Sequence, residues 1–141
     1  MKAVIMAGGF GTRIHPLTIS LPKPMIPLIN RPIMEHIVNL LKRNGITDLI
    51  LLLFHQPEII KKYFGDGSEF GVTITYPVQD KRLGTAHAIA QARRFLDEPF
   101  VCLNGDVVVV ESMVRKVLAS YERDPEGTSV VMALTRVDNP S

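Results

Sequence analysis

Apolar and polar positions follow one another along the chain in blocks that predict strands and helices in turn. Five apolar runs, each bounded by glycine, proline or polar residues, have the length of buried strands. They are KAVIMA (2–7), DLILLLF (48–54), VTITYPV (72–78), FVCLN (100–104) and TSVVMALTRV (128–137). The long segment GGFGTRIHPLTISLPKP (8–24) is too rich in glycine and proline for either element, so it predicts a long loop, and such loops are usually functional.

The segments between the runs predict helices. Asn30 is a predicted N-cap, and after it apolar residues recur with helical spacing as far as Gly45, which is a helix stop signal. Further helices are predicted at PEIIKKYF (57–64), TAHAIAQARRFL (85–96) and ESMVRKVLASYERD (111–124). Because strands that are apolar on both faces alternate with helices, we expect an α/β fold with a mainly parallel sheet and helices on both faces.

Composition limits the class of protein. The chain has 141 residues, of which 46% are hydrophobic, so it predicts one domain or part of one. Its formal charge of +2 is too balanced to favour a nucleic acid or a membrane surface as partner. The single cysteine, Cys102, cannot form an internal disulfide, and no signal peptide or membrane-length apolar run is present, so we expect a cytoplasmic protein.

Ligands of parallel α/β sheets bind at the carboxyl ends of the strands, which directs attention to three loops, 8–24, 79–85 and 105–106. In the first loop, Gly8, Gly9 and Gly11 allow backbone N–H groups to approach an anion, and Arg13 adds a planar positive charge. A flexible turn would also fit this composition. The Walker motif and the dinucleotide fingerprint do not fit, since Gly-Lys-Ser/Thr is lacking and Ile14 stands where a third glycine is needed.

Three other polar residues are candidates in these loops. Lys23 lies between two prolines, which hold it on a stiff segment suited to phosphate binding. Asp106 follows a predicted strand and could bind Mg²⁺ together with substrate phosphates, although an aspartate after glycine is also common in turns. Gln79 can both donate and accept, which suits the edge of uracil, thymine or guanine, but taken alone a surface glutamine in a polar loop is the simpler interpretation.

Four motifs together resemble one family, the sugar-1-phosphate nucleotidylyltransferases or nucleotide-sugar pyrophosphorylases. They are AGGFGTRIHPLT (7–18), LPKPM (21–25), QDKRLGTA (79–86) and NGD (104–106), and the order and separation match. The segment NRPIMEHIVNLLKRNGITDLI (30–50) looks most similar to the mannose-1-phosphate guanylyltransferase branch. The resemblance covers essentially the whole chain and implies a Rossmann-like fold of the nucleotidyltransferase type.

The resemblance implies an enzyme in which an oxygen of a sugar-1-phosphate attacks the α-phosphorus of a nucleoside triphosphate, releasing pyrophosphate and forming a nucleotide sugar without a covalent enzyme intermediate. It gives catalytic roles to Arg13 and Lys23, which bind the phosphates, and makes Asp106 a ligand of Mg²⁺. The nucleotide-binding residues that it implies are Ala7, Gly8, Gly9, Gly11, Thr12, Arg13, Gln79, Gly84 and Thr85. GTP with mannose-1-phosphate, giving GDP-mannose, is the first expected pairing, and dTTP or UTP with glucose-1-phosphate is the alternative.

Some features depart from the family pattern. His15, His87 and Arg82 replace residue types that are more usual beside these motifs, and we expect the two histidines to be tolerated substitutions and not catalytic bases. Family domains also continue beyond the point where this chain stops, and the continuation supplies the sugar pocket and a second metal carboxylate. We therefore expect residues 1–141 to be the N-terminal, nucleotide-binding part of a single, truncated nucleotidyltransferase domain.

Two questions stay open at this stage. A non-catalytic regulatory or assembly module of the same fold is the alternative from another class, although such a module need not keep Arg13, Lys23 and Asp106 together. Homo-oligomer formation is also open, because an apolar sheet edge could promote self-association.

Overall fold

The computed structural model describes residues 1–9, 11, 14, 16–77 and 83–134. The chain divides into two compact units, Met1–Val108 and Val109–Ser141. The strands and helices of the described residues are β1 (Lys2–Ala7), β2 (Pro27–Leu28), β3 (Arg31–Pro32), α1 (Ile33–Arg43), β4 (Asp48–Leu53), α2 (Pro57–Phe64), β5 (Thr73–Thr75), α3 (Thr85–Gln91), β6 (Phe100–Asn104) and α4 (Glu111–Glu122).

A four-stranded parallel sheet organises the first unit, in the order β5-β4-β1-β6. The chain places β4 and then β5 on one side of β1, and afterwards crosses to place β6 on the other side. The order of the strands therefore reverses between β1 and β6, and such a switch point is where parallel α/β sheets bind their ligands. The predicted α/β architecture is confirmed, and the edge where β1 and β6 end is the candidate ligand edge.

Both faces of the sheet are covered. On one face, Val4, Ile50 and Leu52 are fully buried and pack with Ala92, which follows α3. On the other face, a Cβ at Gly105 would lie 3.0 Å from Cε of Met34 in α1 and 3.3 Å from Cγ2 of Ile5, and both of these side chains are fully buried. Helices thus shield the sheet from both sides, which explains why β1 and β4 are apolar at successive positions and do not alternate.

The start of α1 differs from the prediction. Asn30 was expected to cap this helix, but it has a φ of 63° and forms, with Ile29 (φ 50°), the two-residue turn between β2 and β3. Asparagine tolerates left-handed backbone, so the chain uses it for a tight hairpin turn and the helix begins after Pro32. The Asn30 N-cap prediction is therefore wrong.

The end of α1 is as predicted. Gly45 has a φ of 76°, its N–H donates to the carbonyl of Lys42, and the N–H of Ile46 donates to the carbonyl of Leu41. These two hydrogen bonds form a Schellman motif, in which a left-handed glycine closes the helix.

Two other predicted elements are shorter than expected. β5 includes only Thr73–Thr75 of the run 72–78, whose last residue lies outside the described part of the chain. The helix predicted over 85–96 is α3 followed by a 3-10 turn at Arg93–Phe95.

The strand predicted at 128–137 is absent from its described part, 128–134, and the remainder lies outside the described residues. The side chains of Val130, Met132 and Leu134 are exposed there. A strand requires a neighbour for its backbone hydrogen bonds, and no pairing partner for 128–134 occurs among the described residues. An apolar run alone was therefore an insufficient predictor.

The second unit contains α4, as predicted. Arg115 and Glu111 form an ion pair one turn apart on its surface. After the helix, the Asp124 carboxylate accepts a hydrogen bond from the N–H of Gly127 and closes a turn. Over all residues that the structure describes, no helix is long and apolar enough to cross a membrane.

Candidate functional site

The candidate site lies where β1 and β6 end side by side. The N–H of Gly105, directly after β6, donates to the carbonyl of Met6 near the end of β1 at 2.8 Å. A Cβ at Gly105 would lie only 3.0 Å from Met34 Cε and 3.2 Å from Ala7 Cβ. The glycine of this loop is therefore required by close packing, and it places Asp106 beside the start of the 8–24 loop.

Lys23 and Asp106 meet at this edge. Nζ of Lys23 donates to Oδ2 of Asp106 at 2.6 Å, and the two side chains are 36% and 33% exposed. Lys23 is the first residue of a 3-10 turn, Lys23–Met25, whose buried members Pro24 and Met25 anchor it. The structure thus brings together two site residues that are 83 positions apart in the sequence.

Gly11 lies next to Lys23. It has a φ of 64°, and a Cβ placed on it would be 3.3 Å from Lys23 Cβ and 2.7 Å from Thr18 Cγ2. Its carbonyl accepts hydrogen bonds from the N–H of Ile14 at 3.0 Å and from the hydroxyl of Thr18 at 2.9 Å. Conformation and packing both require glycine at this position, because a side chain would be strained and would collide with Thr18.

Thr18 and Gln56 were not among the candidates from the sequence, yet both contact the 8–24 loop. Thr18 is only 2% exposed although it belongs to a polar loop. Gln56, at the start of α2, donates from Nε2 to the carbonyl of Ile19 at 3.2 Å. No signal in the sequence marks either contact, since the partners lie seven and 37 positions away.

The other predicted site residues have these positions. Ala7 is buried at the end of β1, and Gly8 packs against Phe54, whose Cβ would lie 3.3 Å from a Cβ on the glycine. Gly9 is exposed, Gly84 precedes α3 with a φ of 99°, and Thr85 is its exposed first residue. Predicted residues that lie outside the described part of the chain are Thr12, Arg13 and Gln79, together with the departures His15 and Arg82.

His87 has a local partner on its own helix. The amide Nε2 of Gln91 lies 3.3 Å from Nε2 of His87, and because an amide nitrogen can only donate, this ring nitrogen accepts. The contact joins residues one turn apart on α3, as is usual on a helix surface.

Cys102 lies on β6, two residues before its end. Its side chain is exposed, and partial desolvation by neighbouring groups raises the pKa of the thiol above the ordinary value of 9.0. A raised pKa lowers the fraction of thiolate, which is the reactive form, at neutral pH.

Asp106 is the acidic residue of the candidate site, and its chemistry limits which metal ions it could hold. No cluster of three or more His, Cys, Asp or Glu side chains that could enclose a metal occurs in the described ranges, which leaves the lone Asp106 carboxylate at the strand end. A zinc-type cage needs three or four such ligands, whereas Mg²⁺ commonly takes one or two carboxylates and completes its shell with water and substrate phosphates. Asp106 thus fits a magnesium–phosphate complex.

A separate cavity of about 260 Å³ opens at the opposite end of the sheet. Nζ of Lys2 donates to Asp97 at 2.8 Å at its wall, and this ion pair raises the pKa of the lysine and lowers that of the aspartate. The lining residues are Lys2, Asp48, Ile50, Thr75, Arg94, Phe95 and Asp97. None of them is a predicted site residue, so this cavity and the candidate site are distinct.

A parallel sheet with this strand order and a glycine-rich loop beside an aspartate at its switch point define a Rossmann-like α/β protein. Residues 2–141 match the family described as Nucleotidyl transferase. The chain belongs to this nucleotidyl transferase family.

Individual relatives bear names within the same group. The chain is 38% identical over 148 residues to the mannose-1-phosphate guanyltransferase of Debaryomyces hansenii, covering 100% of this chain and 39% of the relative. It is 41% identical over 142 residues to the low-salt glycan biosynthesis nucleotidyltransferase Agl11 of Haloferax volcanii, covering 99% and 39%. The chain thus spans about two fifths of the length of these relatives.

A solved structure confirms the fold. It is a crystal structure, in complex with sucrose, of a Bacillus anthracis protein provisionally named a glucose-1-phosphate thymidylyltransferase. The TM-score is 0.79 at 33% sequence identity, and the match covers 90% of this chain and 52% of the other. The fold class predicted from the sequence is therefore shown both by the sheet and by this similarity.

Proposed function

We propose that the chain forms the nucleotide-binding part of a sugar-1-phosphate nucleotidyltransferase. In the proposed reaction, an oxygen of the sugar phosphate attacks the α-phosphorus of a nucleoside triphosphate. The new bond is between that oxygen and the α-phosphorus, and the bond to pyrophosphate breaks. The substrates, the cytoplasmic location and the use of Mg²⁺ are all part of this proposal.

One observation carries the proposal. At the switch point of the sheet, the Lys23 ammonium contacts the Asp106 carboxylate directly beside Gly11. A cation and a backbone turn without a side chain can contact phosphate oxygens, while a carboxylate can hold the accompanying metal ion. The three groups converge in space although the loop that carries Gly11 and Lys23 is far from Asp106 in the sequence.

The chemistry needs no further nucleophile or base from the protein. The attacking phosphate oxygen is already ionised, and phosphoryl transfer depends mainly on positioning and on neutralising charge. Lys23 would contact the reacting phosphates, and Asp106 would hold Mg²⁺. When bound, the metal ion would neutralise charge on the phosphates. The resemblance assigns to Arg13 the parallel role of binding the triphosphate and the leaving pyrophosphate.

GTP and mannose-1-phosphate are the substrate pair that we propose first. The relatives named mannose-1-phosphate guanyltransferases, which are 38% identical along the whole chain, support this choice. The structural neighbour named as a thymidylyltransferase supports the alternative, dTTP or UTP with glucose-1-phosphate. A base-contacting role for Gln79 is compatible with all three bases and does not decide between them.

Calorimetric titration with GTP, UTP and dTTP in turn, with Mg²⁺ present, tests the proposal. We expect one nucleotide to bind preferentially. Lys23→Ala should weaken that binding by roughly tenfold to a hundredfold, because a charge-assisted hydrogen bond to phosphate is lost. Product analysis with mannose-1-phosphate and glucose-1-phosphate then identifies the sugar.

Lys61→Ala is the matched control. This lysine is on α2 and forms a surface pair with Glu58 at 3.5 Å, away from the proposed site. Equal losses in Lys23→Ala and Lys61→Ala would indicate nonspecific attraction of an anion. A folded protein that binds none of the three nucleotides would contradict the proposal and favour a non-catalytic module of the same fold.

A further inference from the structure

We propose that Thr18 and Gln56 are positioning residues for nucleotide binding, which hold Gly11 and Ile19 in their binding conformation before the nucleotide arrives. Neither residue would touch the substrate. This inference rests on the proposed function, because it assigns to the two side chains the task of fixing Gly11 and the segment that leads to Lys23.

Thr18 acts on Gly11 in two ways. Its hydroxyl donates to the Gly11 carbonyl at 2.9 Å, and its methyl group occupies the space that a Cβ on Gly11 would need. The residue is 2% exposed, so its rotamer is fixed by packing. One buried side chain therefore sets both the orientation of the Gly11 carbonyl and the small size of the residue at that point.

Gln56 holds the next residue of the loop from the opposite side. It follows β4 at the carboxyl edge of the sheet, and its amide Nε2 donates to the carbonyl of Ile19 at 3.2 Å. Its backbone is left-handed, with a φ of 47° and a ψ of 50°, which is uncommon for a residue other than glycine. Strained conformations of this kind persist where the surrounding structure requires them, and they concentrate at functional sites.

The amide oxygen of Gln56, Oε1, provides an independent observation. Because Nε2 must face the Ile19 carbonyl, the orientation of the amide is fixed and Oε1 points the other way. Oε1 is buried and has no hydrogen-bond donor among the residues that the structure describes. A buried oxygen without a donor costs stability, so the hydrogen bond from Nε2 to the Ile19 carbonyl brings little net stabilisation.

Together the two contacts fix adjacent positions of the loop, Thr18 to Gly11 and Ile19 to Gln56. A loop that is held in its bound conformation loses less conformational freedom on binding, and this increases affinity. The expected signature is a change in nucleotide affinity without a matching change in stability.

The test measures the Kd of GTP, UTP and dTTP with Mg²⁺, together with the thermal midpoint, for Gln56→Leu and Thr18→Val. We expect the Kd of the preferred nucleotide to rise by about fivefold to tenfold in each, the effect of one lost hydrogen bond. For Gln56→Leu the midpoint should change by less than about 3 °C, since the lost bond is offset by removal of the unsatisfied oxygen. Thr18→Ser keeps the hydroxyl and should restore most of the affinity.

Asn44→Ala is the control with the same chemistry in another place. Nδ2 of Asn44 also donates to a backbone carbonyl, that of Leu40 at 2.8 Å, but at the carboxyl end of α1. Removing this bond should lower the midpoint by about 4 °C and leave the Kd unchanged.

The outcomes separate the two proposals. If the unmodified protein binds a nucleotide and Gln56→Leu and Thr18→Val bind it equally well, the positioning role is wrong and the proposed function stands. If nucleotide affinity falls only in proportion to the thermal midpoint in Gln56→Leu, Thr18→Val and the control Asn44→Ala, the two residues are merely structural, which also overturns the inference. If the folded, unmodified protein binds none of the nucleotides, the proposed function fails and the positioning role fails with it.

Discussion

Glu35 shows at the scale of single residues what the sequence could not reveal. It lies among the apolar positions of α1, and its carboxylate accepts hydrogen bonds from Nη1 of Arg31 at 2.8 Å and from the hydroxyl of Tyr63 at 2.6 Å. A carboxylate buried to this extent requires such partners. The helical pattern predicts the apolar neighbours of Glu35, but Tyr63 is 28 positions away and belongs to another helix.

Tyr76 leads to a prediction about alkaline pH. Its hydroxyl donates to the carbonyl of Gly65 at 2.8 Å, and burial raises its pKa from the ordinary value of 10.0 to about 12. Because the pKa is higher in the folded protein than in the unfolded chain, the stabilising effect is complete below about pH 10 and is lost as the pH rises through about 12.

We therefore expect the free energy of unfolding to fall between pH 10 and pH 12, and to fall less steeply in Tyr76→Phe, which has no proton to lose. Urea denaturation of both proteins at intervals across this range is the measurement. Parallel curves for the two proteins would contradict the assigned role of Tyr76. The hydrogen bond from Tyr63 to Glu35 raises the pKa of Tyr63 as well, so a smaller slope will remain in the variant.

At the scale of elements, the local sequence pattern predicts those strands, helices and helix ends that depend on interactions between neighbouring residues. β1, β4, α2 and β6 have the predicted bounds within one residue, and Gly45 closes α1 by interactions among neighbouring residues. The elements that differ depend on partners elsewhere in the chain. The β2–β3 hairpin replaced the expected N-cap at Asn30, and the run 128–134 remained without a pairing strand in the described residues. Pairing is a tertiary property that an apolar run does not encode.

The hairpin turn allows a prediction about stability. Ile29 is 84% exposed and has a φ of 50°, a conformation that costs a β-branched residue roughly 1–2 kcal/mol. Ile29→Asn places a residue that tolerates this backbone in the turn and should stabilise the protein by about 0.5–1 kcal/mol. Urea denaturation measures the gain.

Leu28→Asn is the matched control for the hairpin. It makes the same kind of substitution one residue earlier, on β2, where the φ is not positive. We expect no stabilisation from it. If both variants gained equally, polarity at the hairpin and not relief of backbone strain would be the cause.

At the scale of the whole molecule, the sequence predicts where the candidate site lies, but it predicts only some of the contacts among the residues there. Lys23 and Asp106 were candidates because they follow strands that had to end at one edge, and the structure places them in contact. Thr18 and Gln56 are recognised only from their hydrogen bonds to Gly11 and Ile19. The sequence does not distinguish a threonine or glutamine that holds a loop from one that is exposed to solvent.

The sheet also predicts which of the described residues unfold locally most often and which most rarely. β1 and β4 have neighbours on both sides, and Ala3, Val4 and Ile5 have no exposed surface, so their amide hydrogens should exchange most slowly. The segment 128–134 is outside any strand and should exchange fastest. Hydrogen exchange read by mass spectrometry or NMR measures both. Protection of 128–134 as strong as that of β1 would show that the strand predicted there does form in solution.

The distance along the chain between Lys23 and Asp106 has a consequence for biosynthesis. Lys23 leaves the ribosome 83 residues ahead of the Asp106 carboxylate that it contacts in the folded protein, and the glycines of the same loop leave earlier still. Until β6 has been made and has paired with β1, the lysine has no counter-charge from Asp106, and this long-range pairing belongs to the slower steps of folding. The glycine loop and Lys23 are thus synthesised early, and the contact between Lys23 and Asp106 forms only after β6 has been made.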